Sequence, residues 1–104
     1  MAIFDVAQIT EQGVDLILVP LHANFEYKSD HEKNDTVARL RSGASHAGLT
    51  GVVVPIWALR SGKMGCLATE RYLGLLRGID LEFVANHINR TITINDRAWA
   101  LLEA

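Results

Sequence analysis

The run Val14-Asp15-Leu16-Ile17-Leu18-Val19, closed by Pro20, constrains this chain more than any other stretch. Successive side chains of a strand point to opposite faces, so a run apolar at every position after Asp15 requires cover on both sides. It predicts a central strand over 14–19. A second β-branched run, Val52 to Leu59, predicts a strand over 52–58. Pro55 cannot donate to a ladder, which places that strand at a sheet edge or at a bulge. If the two strands pair directly, the chain between them forms a right-handed parallel crossover.

That connection carries a helix signal. Ser29-Asp30-His31-Glu32 has the capping-box pattern, in which Ser29 accepts from the N–H of Glu32 and Glu32 reaches back to Ser29. Val37, Leu40, Ala44 and Ala47 follow at helical spacing, and Gly48 is a natural terminator. The pattern predicts a helix over 30–47, with Gly43 a weak point that permits close packing.

The flanking segments complete the order. Residues 2–9 read as a strand or as a short helix capped by Asp5; the turn-like Thr10-Glu11-Gln12-Gly13 favours the strand. Arg60-Ser61-Gly62-Lys63 predicts a hairpin turn, with Met64 to Ala68 returning antiparallel. Thr69 caps a short helix over 70–77 that Gly78 ends. A second helix starts at Asp80 and buries Leu81, Val84, Ala85 and Ile88, with Phe83 on another face. Thr91-Ile92-Thr93-Ile94 alternates as a last strand with one wet face, and residues 97–104 suit a short helix. The resulting order, β-β-α-β-β-α-α-β, predicts an α+β fold: a two-layer sandwich with a mixed sheet of about five strands and helices packed on it.

Composition narrows the class. At 104 residues, 49% hydrophobic and 21% charged, the chain suits one globular domain over 1–104. A net charge of −2, with arginines scattered among acids, argues against nucleic acid as a partner, since phosphate binding needs a basic excess. The lone Cys66 allows no intrachain disulfide and suits a reducing compartment. No signal peptide stands at the N-terminus, and no apolar run approaches the ~20 residues of a membrane span. The expected location is cytoplasmic, with no membrane association.

The polar stretch after the central strand holds the candidate ligand-binding residues: His22, Glu26, Lys28 and His31. The carboxyl ends of strands in open α/β sheets often line a crevice. The competing reading is that Ser29 and Glu32 cap the helix, Asp30 suits its dipole and the other charges are solvated. His31 and Asp35 share a helix face, with His22 nearby in sequence, but no metal-binding motif is present and no metal or cofactor is expected. Cys66, in an apolar strand, reads as a small hydrophobe and not as a nucleophile. No catalytic residue is assigned.

Apolar residues exceed what a small interior absorbs. Helix 70–77 carries Tyr72 and Leu75, helix 80–89 adds Phe83, and Trp99 lies near the end. Contiguous apolar surface marks interfaces, so these four are the expected contacts of a homo-oligomer, most simply a two-fold dimer.

The stretch from Phe25 to Ser29 through Glu32 and Asn34, continuing to Ala47–Trp57, and the later Phe83-Val84-Ala85-Asn86-His87-Ile88-Asn89-Arg90 resemble small bacterial proteins carried by mobile integron gene cassettes. The similar part covers residues 14–94. That group is defined by genetic context and not by shared chemistry, so the resemblance implies a bacterial, cytoplasmic, accessory protein and supplies no catalytic residue. The favoured expectation is a non-enzymatic, homo-oligomeric binding or interaction protein with a possible small-molecule or protein partner. The alternatives are a small enzyme using acid–base groups within residues 22–32 and a nucleic-acid-associated regulator.

Overall fold

The computed structural model describes residues 2–94. Five strands form one mixed sheet: β1 (Ala2–Glu11), β2 (Val14–Pro20), β3 (Val52–Ala58), β4 (Met64–Cys66) and β5 (Arg90–Ile94), in the spatial order β4-β3-β2-β1-β5. β2 and β3 are parallel, and the other neighbours are antiparallel. Three helices complete the described chain: α1 (Asp30–His46), α2 (Glu70–Leu73) and α3 (Leu81–Asn86). Three-ten turns occupy Ala23–Tyr27 and Gly74–Leu76. The α+β class and the five-stranded mixed sheet agree with the sequence reading.

The alternation of β2 organises the interior. Ile17 and Val19 join Leu40 and Ala44 of α1, together with Phe4, Val6, Ile92 and Ile94, on one face. Leu16 and Leu18 join Ala7, Val54 and Ile56 on the other, against Leu76 and Val84 from the short helices. The four apolar residues Leu16 to Val19 are all essentially inaccessible to solvent, as a central strand requires. Burial on this scale supplies the main drive for the fold, at about 1.5–3 kcal/mol per large apolar side chain.

The first half of the capping box forms as expected, but the Glu32 carboxylate accepts from the Ser29 hydroxyl and not from the Ser29 N–H. Ser29 Oγ accepts from the Glu32 N–H at 3.1 Å and lies 3.2 Å from Glu32 Oε1, and Gly48 beyond the helix end takes a left-handed φ of 76°. Gly43 lets α1 settle on β5: a Cβ there would lie 3.2 Å from Ile94 Cγ1 and 3.4 Å from the Thr93 carbonyl.

Several local expectations are corrected. The first hairpin turns on Gln12 and Gly13 alone, both at positive φ, so β1 runs to Glu11 and pairs it with Val14. β3 is an inner strand, not an edge. Pro55 is accommodated because it stands just past the end of the three-residue β4, where its carbonyl accepts from the Leu67 N–H at 3.1 Å and no return donor is needed. Thr69 precedes α2 without a side-chain cap, and the helix tightens into the three-ten turn after Leu73. α3 ends at Asn86, so Ile88 is 37% exposed, Ala85 is exposed, and Phe83 packs partly against the core beside Val84. The expected helix over 97–104 lies outside the described residues.

Asn89 explains why α3 stops. Its Nδ2 donates to the Gln8 carbonyl and its Oδ1 accepts from the Gln8 N–H, both at 2.9 Å, while its own N–H donates to the Val6 carbonyl. The side-chain amide thus imitates a strand partner and draws the chain into β5 beside β1. None of the described helices is long and apolar enough to cross a membrane.

Candidate functional site

β2 and β3 are the one parallel pair in the sheet, and their carboxyl ends lie side by side, tied by the Leu21 N–H donating to the Ile56 carbonyl at 2.8 Å. An open crevice of about 330 Å³ sits beyond these ends. The three-ten turn after β2 contributes Ala23, Asn24, Glu26 and Tyr27; the chain leaving β3 contributes Ala58, Leu59 and Arg60. Crevices outside the carboxyl ends of parallel strands are where open sheets commonly hold ligands, because loops there diverge and leave a gap.

The turn is fixed from within. His22 Nδ1 accepts from the Asn24 N–H at 3.1 Å, and the Phe25 ring is buried edge-on to Trp57 with centroids 4.9 Å apart. Glu26 Oε2 accepts from Trp57 Nε1 at 2.6 Å, and Lys33 Nζ lies 5.8 Å from the centroid of the same indole. One carboxylate oxygen is therefore committed to the indole, and the other makes no hydrogen bond among the described residues. Tyr27, by contrast, is 72% exposed at the mouth of the crevice. Arg60 is exposed and makes no ion pair among the described residues.

Of the four ligand-binding residues expected from sequence, Glu26 alone lines this crevice. His22 caps the turn, Lys28 terminates it with its N–H donating to the Phe25 carbonyl, and His31 is exposed in the first turn of α1. Asn24 and Tyr27 fall in the polar stretch expected to hold the site though not among its four named residues, and Arg60 was not anticipated. The parallel pairing of the two apolar runs was the signal that brings Arg60 to the segment after β2.

Asp35, once a possible metal ligand with His31, pairs instead with Arg39 Nε at 2.9 Å. No group of three or more potential metal ligands occurs among the described residues. Cys66 is half-buried in β4, where burial pushes its thiol pKa up, away from the thiolate that nucleophilic chemistry needs.

Of the expected interface residues, Leu75 and Phe83 are half-buried against the core beside Leu76 and Val84, Tyr72 is half-buried and lines a separate groove with Asn34, Val37 and Arg41 of α1, and Trp99 lies outside the described residues. Phe83 is partly covered by His87, whose ring stacks on it at 3.9 Å between centroids. Leu73, 42% exposed, lines an open groove of about 500 Å³. Met64, Cys66, Leu76 and Leu81 line that groove, with Lys63, Arg77 and Asp80 among its charged residues.

Comparison with known proteins finds no matching family model, no similar curated protein and no similar solved structure.

Proposed function

We propose that this chain is a non-enzymatic binding protein that works as a homodimer, assembled through the surface of α2 and α3. The supporting observation is an open groove walled by Leu73, Leu76, Ile79 and Leu81, with Leu73 itself 42% exposed. Exposed apolar surface of this kind favours a two-fold contact in which the same patch of each copy covers the other.

The surrounding charges favour a second copy over a partner of one sign. Glu70, Arg71, Arg77, Asp80 and Glu82 are all exposed around these helices, so the rim carries both charges and can complement itself across a two-fold axis. Tyr72 and Leu75 belong to the proposed interface on the sequence reading; Tyr72 itself lines a separate groove with Asn34, Val37 and Arg41, and the Arg71 guanidinium lies 5.6 Å from the centroid of its ring. Trp99 belongs to the proposed interface on the sequence reading alone. A bacterial, cytoplasmic, accessory role follows from the integron-cassette resemblance and is part of the same proposal.

The test is sedimentation equilibrium of the native chain and of Leu73→Glu. A dimer that the exposed charge converts to a folded monomer supports the reading; a native monomer at tens of micromolar overturns it.

A further inference from the structure

The crevice at the ends of β2 and β3 holds an unusual pair of charges. Glu26 and Arg60 both line it, yet they form no salt bridge. Opposite charges at a solvated surface gain little by pairing, but nothing restrains most of them from doing so. Here Glu26 is restrained: its Oε2 is held by Trp57 Nε1 at 2.6 Å, behind the turn. Glu26 and Arg60 thus line the same space without pairing with each other.

We infer that this crevice binds a small zwitterion, an α-amino acid with an apolar or aromatic side chain. The ligand's ammonium group meets the unoccupied oxygen of Glu26, and its carboxylate meets Arg60, whose planar fork suits a carboxylate. Asn24 supplies both a donor and an acceptor at the wall. The side chain of the ligand rests on Leu59 and against the exposed ring of Tyr27, where an aromatic group gains offset stacking. A ligand bearing a single charge would leave one of the two protein charges facing it unpaired. The crevice volume of about 330 Å³ falls within the range of small-ligand sites.

This inference is independent of dimer formation, because the crevice and the α2–α3 surface share no lining residue. It is tested by calorimetric titration of the full chain with L-phenylalanine and, separately, with 3-phenylpropanoate, which lacks the ammonium group. L-Phenylalanine is expected to bind saturably, and the deaminated analogue at least about tenfold more weakly, the scale of one charge-assisted hydrogen bond. Arg60→Gln should weaken both ligands by a similar factor. Glu26→Gln keeps an oxygen to accept from Trp57, so it should reduce L-phenylalanine affinity to that of the analogue and leave the analogue unchanged. Circular dichroism confirms that each variant is folded; should Glu26→Gln fail to fold, Arg60→Gln and the ligand pair still decide the matter. Absence of saturable binding up to about 10 mM L-phenylalanine, a range that fills even a millimolar site, overturns the inference. Equal affinity for the two ligands, or an Arg60→Gln variant that binds as well as the native chain, overturns it too.

Discussion

Trp57 and Gly65 are cross-strand partners on β3 and β4, and the indole lies directly across the glycine. A Cβ at position 65 would stand 2.7 Å from Nε1 and 2.8 Å from Cε2 of the ring. The aromatic ring thus takes the space that a side chain on β4 would otherwise fill, and it is held there by Phe25 and Glu26 from the turn after β2. This small cluster joins the hairpin at the sheet edge to the crevice wall.

Gly65→Ala should therefore destabilise the protein by about 1–3 kcal/mol, the usual cost of overpacking a fitted site. Gly74→Ala is the matched control, since a Cβ there meets nothing within 4 Å and its φ is −63°. Chemical denaturation should show a lower midpoint for the first variant and little change for the second.

Glu26 separates structural from ligand-facing roles. Glu26→Ala leaves the Trp57 N–H without its acceptor in a largely buried setting and should cost about 1–3 kcal/mol. Glu26→Gln, which retains an acceptor, should lose markedly less. Equal losses in urea unfolding would show that the carboxylate charge, and not the hydrogen bond, carries the stability.

The strongest features of the fold were legible because they depend on neighbours in sequence. The doubly buried β2 followed from four consecutive apolar residues, and α1 from its capping box and spacing. What was missed depends on distant partners. Ile88 looked like part of a helical face, but Asn89 binds the backbone of Gln8 and ends the helix before that face is complete. Pro55 looked like an edge residue, but β4 is short enough to spare it a ladder bond. The candidate site was half legible for the same reason: Glu26 lies in the polar run that attracts attention, whereas Arg60 reaches the crevice only through parallel pairing of β2 with β3.

Asn89→Ala removes both side-chain bonds to Gln8. Because these groups are exposed, water replaces much of what is lost, and the expected cost is about 1 kcal/mol. Hydrogen exchange locates the effect: the Gln8 amide should exchange faster in the variant, while amides in the middle of β2 keep their protection relative to global stability. Unchanged exchange at Gln8 would contradict the strand-mimic role.

Cys66 gives a prediction in pH. Burial disfavours the thiolate, so its folded-state pKa is raised. The contribution to stability is complete below the unfolded thiol value of about 8.5 and declines as pH climbs through the folded value. Alkylation by iodoacetamide should accordingly be slower in the folded protein than in urea at pH 8, and the difference should narrow as the pH is raised further.

The central claim is that a second copy covers the α2–α3 surface. Sedimentation equilibrium across a concentration series measures this directly. The expected mass is near twice the 11.5 kDa of one chain, falling to a single chain for a folded Leu73→Glu variant. A native protein of one-chain mass throughout, or a variant as dimeric as the native protein, contradicts it.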